Sequence, residues 1–207
     1  MVWDNDQGFI DTDTFSPSAL AFGVGYGRAL SENFSVGGHL KKAYQYLGNN
    51  VVPVSDSSNV VENNVANAMA VDFGTIYITD WHGFTFGMSV RNFSEEVEYG
   101  YDSFQLPLTF RIGGSIDVLS FVPSLAEKQS LRMALEALHP RSYPERLNLG
   151  LEYSFMNMGH LRLGYLFNYD ERNLTYGAGI KLGPLKIDYA LTPFGVFDSV
   201  SRISIGI

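Results

Sequence analysis

Four aspartates near the N-terminus are the residues whose types and spacing best suit a metal ion. Asp4, Asp6, Asp11 and Asp13 surround Gly8 in the stretch "DNDQGFIDTD". Closely spaced carboxylates beside a turn glycine suit Ca²⁺, which takes about six to eight oxygen ligands. The glycine comes one residue too early after Asp6 for an EF-hand loop, so a plain acidic loop is the simpler interpretation. Calcium remains a weak candidate, and no other metal or cofactor is predicted.

The sequence contains no recognisable catalytic pattern. "GVGYG" at 23–27 imitates a nucleotide-binding loop, but it lies inside a predicted strand and opens no helix. GxSxG is absent, and three carboxylates that could pair for acid–base chemistry are explained by alternation on a polar strand face: Asp117, Glu136 and Glu152. The histidines are scattered and form neither HExxH nor another metal-binding spacing: His39, His82, His139 and His160. We predict that the protein is not an enzyme.

Alternation with a period of two runs through most of the chain. In "LNLGLEYSFMNMGHLRLGYLF", residues 147–167, large apolar residues take every second position and polar or small residues take the others. This period predicts antiparallel β-hairpins. We expect eleven strands, at 19–30, 34–47, 67–79, 84–98, 108–120, 131–139, 146–156, 160–168, 174–182, 185–192 and 199–207.

The predicted connections alternate between short and long. Turns such as 31–33, 80–83, 157–159 and Gly183-Pro184 are short, whereas 48–66, 99–107 and 169–173 are longer. Up-and-down barrels of the outer membrane place short turns on the periplasmic side and long loops outside. The stretch 121–130 departs from this rule, because it is long for a periplasmic turn.

Charged side chains gather on the face opposite the large apolar residues. Both signs mix there, as in a polar barrel lumen whose neighbours pair across strands. The predicted lumen lining is His39, Lys41, Asp72, Arg91, Arg111, Asp117, Arg132, Glu136, Glu152, Arg162, Lys181, Lys186, Asp188 and Arg202. The alternation itself is symmetric, so a soluble β-sandwich with solvated charges remains an alternative.

Composition favours the barrel and excludes several other classes. Charged residues make up 17% of the chain, whereas soluble domains usually carry about 25%. No apolar run approaches the ~20 residues of a transmembrane helix. The net charge of −8 argues against a nucleic-acid binder. The absence of cysteine excludes disulfides and thiolate metal sites.

Several stretches, taken in order, resemble the outer-membrane barrel family that includes PorV and PorQ, which is related in fold to the FadL long-chain fatty-acid transporters. They are "ALAFGVGYGRALSENFSVGGHLKKAYQYL", "AVDFGTIYITD", "FGMSVRNFS", "LPLTFRIGGSI", "RLNLGLEYSF", "LRLGYLFNYDERNLTYGAGIKLGPLKIDYALTPFG" and "RISIGI". The resemblance covers most of residues 19–207. It implies an all-β, antiparallel, up-and-down transmembrane barrel of about fourteen strands.

The resemblance also implies a location and a task. We expect a single barrel domain over 1–207 in the bacterial outer membrane, with 1–18 as an extracellular loop and 19–207 as barrel strands. The N-terminal strands and signal peptide of the family are absent from this sequence. PorV-like members serve type IX secretion, a protein-transport system, so secreted cargo or secretion-system proteins are the expected partners at the extracellular loops. A FadL-like channel for hydrophobic small molecules and a soluble β-sandwich binding module are the alternatives.

The long connections carry most of the acidic residues outside the strands. If long loops share one end, these acids form an acidic extracellular rim that could attract basic segments or divalent cations. Plain solubility of exposed loops explains them equally well. The predicted rim residues are Glu95, Glu96, Glu98, Asp102, Asp170 and Glu171.

Overall fold

The structure, a computed structural model, describes residues 2–4, 8–10, 16–55, 58–99 and 102–207. Strands dominate this part of the chain. In chain order they are β1 (Val2–Asp4), β2 (Gly8–Ile10), β3 (Ser18–Ala29), β4 (Phe34–Ser55), β5 (Ser58–Ile78), β6 (Thr85–Ser94), β7 (Val97–Tyr99), β8 (Asp102–Phe104), β9 (Thr109–Asp117), β10 (Gln129–Pro140), β11 (Arg146–Phe155), β12 (Gly159–Phe167), β13 (Leu174–Leu182), β14 (Leu185–Pro193) and β15 (Ser199–Gly206).

Eleven of these strands form one antiparallel sheet. Its order is β15-β14-β13-β12-β11-β10-β9-β6-β5-β4-β3, and the pairs β1–β2 and β7–β8 form separate two-stranded hairpins. Each strand of the large sheet therefore lies beside its neighbours in sequence, with only the β7–β8 hairpin interposed. The prediction of an all-β antiparallel fold with eleven main strands is confirmed. Among the described residues, no pairing joins the edge strands β3 and β15.

Three predicted connections contain regular structure. The prediction of a loop over 48–66 is wrong, because β4 continues to Ser55 and β5 begins at Ser58. The serines and asparagines of this stretch favour a loop, but β4 and β5 are neighbours in the sheet and their pairing outweighs that local preference. Short strands also lie within the predicted loops 1–18 and 99–107.

The strand predicted over 108–120 ends at Asp117. The Asp117 carboxylate accepts hydrogen bonds from the backbone N–H groups of Leu119 and Leu131, both at 3.1 Å. The first bond caps a 3-10 turn at Val118–Phe121, and a short helix, α1 (Pro123–Ala126), follows. A polar side chain that satisfies the orphan N–H groups of a helical turn stops the strand here.

The chain divides into two compact units. The first comprises Met1–Val24, His39–Val71 and Phe93–Leu106, and the second comprises Gly25–Gly38, Asp72–Asn92 and Pro107–Ile207. Among the described side chains and glycines of the first unit, five residues are buried: Gly48, Asn64, Ala66, Ala70 and Val97. The second unit contains β9 to β15 complete and carries the site described below.

Cross-strand register in the second unit separates two faces. Met133, Leu151, Leu163, Tyr176 and Leu191 stand opposite one another across β10 to β14. We call the face that carries this row the apolar face and the opposite one the polar face. A strand period of two places every second residue on the same face, so the alternation in the sequence is preserved across the sheet.

Tight turns keep this register. The β11–β12 turn uses left-handed backbone at Met156 (φ 51°) and Asn157 (φ 57°), and Met158 N–H donates to Phe155 O at 3.0 Å. The β13–β14 loop is Gly183-Pro184, with Gly183 at φ 61°. Such turns match the right-handed twist of hairpin strands, and Gly183 takes this backbone without the penalty a side chain would bring.

Candidate functional site

A row of alternating charge crosses the polar face of the second unit. Asp117 on β9 stands opposite Arg132 on β10, Arg132 opposite Glu152 on β11, and Glu152 opposite Arg162 on β12. Opposite charges placed directly across antiparallel strands stabilise their pairing. We call these four residues the charge ladder. All four belong to the lumen lining predicted from the sequence.

Arg162 is the centre of the contacts on this face. Its Nε lies 2.5 Å from Glu152 Oε2, and its Nη1 lies 2.6 Å from Asp188 Oδ1. Lys186 Nζ lies 3.2 Å from the other oxygen of Asp188. The guanidinium therefore binds two carboxylates through different nitrogens, the charge-assisted arrangement that is about twice as strong as a neutral hydrogen bond.

The reach of Arg162 depends on glycines in the strand between. Asp188 lies on β14, so the arginine must cross β13, where Gly177 and Gly179 occupy the polar face. A Cβ on Gly179 would overlap the Asp188 carboxylate, and one on Gly177 would lie 3.3 Å from Arg162 Cβ. The absence of side chains at these two positions makes room for the arginine.

A second, smaller group lies on β9 to β11. Arg111 Nη1 lies 3.6 Å from Glu136 Oε1, and the Asn148 side-chain amide donates to Glu136 Oε2 at 3.1 Å. Alternation placed all three residues on the polar face, and the register sets Asn148 on β11 directly opposite Glu136.

Other predicted lining residues are not joined to these groups. Asp117 caps the turn after β9 instead of pairing with Arg132. Arg132 is exposed and has no carboxylate within 4.0 Å in the part of the chain that the structure describes. Lys181 stands opposite Lys186, and Arg202 stands opposite Ala190.

The remaining predicted residues lie near the boundaries of the two units. Arg91 is exposed opposite Thr109 in the second unit. Also in the second unit, Asp72 Oδ1 accepts a 2.8 Å hydrogen bond from the backbone N–H of Asn92. In the first unit, the His39 ring occupies the space that a side chain on Gly23 would need. Lys41 is half-buried in that unit.

The apolar face is the more exposed of the two faces. On β12 and β13, Leu163 and Ile180 are 54% and 56% exposed, whereas the side chain of Arg162 is 33% exposed and Gly179 is buried. In a soluble domain burial favours apolar residues. Here the relation is inverted along β10 to β13, whereas both faces of β15 are exposed.

Two loops that follow the same sequence pattern meet at one end of the sheet. Residues 143–146 and 169–172 both read Tyr-x-Glu-Arg. Arg146 Cζ lies 5.0 Å from the Tyr143 ring centre and 4.5 Å from that of Tyr169, and Arg172 Cζ lies 4.8 Å from Tyr169 and 5.5 Å from Phe194. These distances are those of cation–π contacts. The repeated pattern is the signal that sequence analysis missed.

Beside this cation–π stack, Glu145 has a perturbed acidity. A hydrogen bond from its own backbone N–H, reinforced by the charge and hydrogen bond of His139, lowers the pKa of Glu145. His139 Nδ1 lies 3.1 Å from Glu145 Oε1. The loop carboxylate therefore stays ionised to lower pH than a free glutamate.

The predicted rim residues with described side chains are exposed. In the first unit these are Glu95, Glu96 and Glu98, and Glu96 accepts hydrogen bonds from Gln105 Nε2 at 2.8 Å and Ser103 Oγ at 3.3 Å. In the second unit they are Asp170 and Glu171. Their gathering into one rim stays a prediction. The side chain of Asp102 lies outside the described residues.

The weak calcium candidate also lies outside what the structure describes. Asp6, Asp11 and Asp13 are not among the described residues, and of Asp4 only the backbone is described. Among the described side chains, no group of three His, Asp or Glu residues could hold a metal ion. None of the helices in the described ranges has the length and hydropathy to cross a membrane.

Comparisons with known proteins do not identify a relative. No model of a protein family matches the chain, and no curated protein matches it.

Proposed function

We propose that the chain forms the wall of a non-enzymatic outer-membrane β-barrel of the PorV/PorQ type. The single observation that carries this proposal is the inverted exposure of β10 to β13, where the apolar face is more exposed than the polar face. A transmembrane barrel has this distribution because lipid solvates the outer residues and the polar side chains face the lumen.

The same observation counts against the soluble sandwich. A sandwich needs a second layer of side chains packed on the apolar face, yet Leu163, Ile180, Ile203 and Ile205 are each more than half exposed. The meander order of the sheet also favours an up-and-down barrel, since each strand follows its neighbour in sequence.

We further propose that the barrel serves type IX-like protein secretion or surface attachment, with secreted cargo or secretion-system proteins bound at its loops. The family resemblance supports this part. The polar face is consistent with it, because the Glu152–Arg162–Asp188 contacts cover that face with charge and so disfavour a hydrophobic conduit of the FadL type.

Cell fractionation tests the membrane part of the proposal. We expect the protein in the outer-membrane fraction after a carbonate wash, with unheated and boiled samples migrating differently in detergent gels. Recovery in the soluble fraction, with identical migration of both samples, would contradict the barrel.

A deletion strain tests the task. Removal of the protein should release normally surface-attached secreted proteins into the medium and leave the uptake of long-chain fatty acids unchanged. Re-expression should restore attachment. The opposite pattern, lost uptake with normal attachment, would favour the FadL-like channel.

A further inference from the structure

An apolar groove of about 390 Å³ crosses the apolar face over β6, β9 and β10. Its lining is almost entirely hydrocarbon and includes Phe86, Ile112, Gly114, Met133 and Leu135. Register explains its position: Phe86, Gly114 and Leu135 stand opposite one another on three adjacent strands. The missing side chain at Gly114 leaves a depression between large neighbours, and its volume falls in the range of about 300–1,000 Å³ found for small-molecule sites.

One end of the groove leads to a cluster of aromatic residues. The Phe84 ring lies over Gly114, where an added Cβ would be 3.1 Å from the ring edge. Trp81 lies 6.3 Å from Phe84 and 5.8 Å from Phe121, measured between ring centres. His82 stacks on Phe121 at 3.9 Å. The apolar groove therefore continues directly into a cluster of exposed aromatic rings.

This aromatic cluster also supplies polar atoms. His82 Nδ1 lies 3.1 Å from Ser120 Oγ, and the indole of Trp81, which is 60% exposed, carries an N–H donor. Tryptophan and similar amphipathic rings prefer the level of lipid headgroups, where one end of the ring is dry and the other is wet. The groove and the cluster together resemble the hydrocarbon and headgroup levels of a bilayer leaflet.

The apolar lining of the groove determines which class of ligand it can bind. An amide or hydroxyl placed in the groove would lose its hydrogen bonds to water without gaining a partner, which is unfavourable. An extended peptide would leave its backbone groups unsatisfied in the same way. A hydrocarbon chain has no such groups. A fatty-acid carboxylate would need a cation, and the cluster of Trp81, His82, Ser120 and Phe121 contains no permanently charged one.

We propose that the groove binds one acyl chain of a phospholipid, with the ester and headgroup region against the Trp81–His82–Ser120 end. This inference rests on the proposed function, because the groove lies on the face that we assign to lipid. It goes beyond general contact with a bilayer, since it assigns a specific, retained lipid to β6, β9 and β10.

Filling the groove provides the test. Gly114→Leu places a side chain in its centre, where the atoms that must move belong to the flexible Phe84 ring. Its matched control is Gly159→Leu, on the same face with open space around it. If Gly114→Leu fails to fold, Ala137→Phe fills the groove from β10, with Ala178→Phe on the same face as its control.

The readout is the mass of the protein after gentle detergent extraction from palmitoyl-oleoyl-phosphatidylcholine vesicles. We expect one bound phospholipid per chain in the wild type and in both controls. Occupancy should fall about tenfold in the groove-filling variants, which corresponds to about 1.4 kcal/mol of lost affinity. Equal occupancy in all variants would overturn the proposal, as would a chain dimer in place of a lipid adduct.

Flotation of the same samples separates this inference from the proposed function. If every variant floats with the vesicles but no lipid is retained, the lipid site is wrong and the barrel stands. If the wild-type chain does not float, both are wrong. A second measurement uses Trp3→Phe, which leaves Trp81 as the only tryptophan. Brominated phospholipid retained in the groove should quench Trp81, and Gly114→Leu should abolish this quenching.

Discussion

Among the residues of the polar face, we expect the substitution of Arg162 to lower the free energy of unfolding most. Arg162→Met would leave Glu152 and Asp188 without their shared donor, and hydrogen bonds to charged groups contribute about 1.5–3 kcal/mol each. Because these side chains are partly exposed, we expect a loss of about 2 kcal/mol in the free energy of unfolding. Urea titration of protein refolded in detergent micelles measures it.

Arg132→Met is the matched control for this substitution. Arg132 lies on the same face and in the same row, but it has no carboxylate within 4.0 Å among the described residues. Its replacement should cost less than about 0.5 kcal/mol. Equal losses for the two variants would mean that the ion pairs of Arg162 do not stabilise the fold.

Glu145 should make one loop sensitive to acid. Its pKa lies below 4.5 in the folded protein, so its stabilising contribution is complete above pH 4.5 and is lost as the pH falls through the lowered pKa. We expect the side-chain carboxyl of Glu145, followed by NMR, to titrate below pH 4.5, and His139→Gln to raise its midpoint. A midpoint at or above 4.5 in the wild type would contradict this assignment.

At this scale the sequence predicted which residues share a face but not which of them touch. Alternation placed Glu152, Arg162 and Asp188 on one face, because strand geometry alone decides which face a residue occupies. The bond from Arg162 to Asp188 could not be foreseen, since it crosses β13 and depends on the side-chain space left free at Gly177 and Gly179. Asp117 stands opposite Arg132, but a local backbone turn competes for its carboxylate.

At the scale of elements, the cation–π stack should stiffen the loops after β10 and β12. Tyr169 is the ring that Arg146 and Arg172 share, so Tyr169→Leu removes two contacts of about 0.5–1 kcal/mol each. We expect faster hydrogen exchange at 141–145 and at 168–173 in this variant. Tyr143→Leu, which removes a single contact, should accelerate only 141–145. Unchanged exchange in the Tyr169 variant would show that the stack does not order the loops.

Elements were predictable where their pattern was local. The observed bounds of β9 to β15 agree with the bounds predicted from alternation to within three residues at each end. They agree because a pleated strand has the same period of two as the sequence pattern. The extension of β4 and β5 through 48–66 was not predictable, since pairing with a neighbouring strand overrode the loop-like composition. The repeated Tyr-x-Glu-Arg pattern can be read in the sequence. The contact between the two loops depends on the sheet, which brings both loops to the same end.

At the scale of the whole molecule, the identity of the solvent around the apolar face is the decisive question. Ile203→Arg tests it, because Ile203 is 69% exposed near the middle of β15. If lipid surrounds this face, the arginine should cost about 2–4 kcal/mol in lipid vesicles. If water surrounds it, an exposed substitution should change the free energy of unfolding by less than about 0.5 kcal/mol.

Ser204→Arg is the control in the same strand. Ser204 is the next residue, points to the polar face and stands opposite Asp188, so arginine there should be tolerated in either solvent. The difference between the two variants isolates the face from the general effect of a new charge. No difference between them would contradict a membrane-spanning wall.

The ion pairs of the polar face have a consequence for the order of assembly. Glu152 and Arg162 are ten residues apart on one hairpin, whereas Asp188 lies 26 residues beyond Arg162. Arg162 can therefore form its ion pair with Glu152 before β14 joins the sheet. Asp188 on β14 is already paired with Lys186 of the same strand. Arg111 and Glu136 pair within the β9–β10 hairpin in the same way. The Glu152–Arg162 and Arg111–Glu136 charges can therefore enter a low-dielectric environment already paired within their own hairpins.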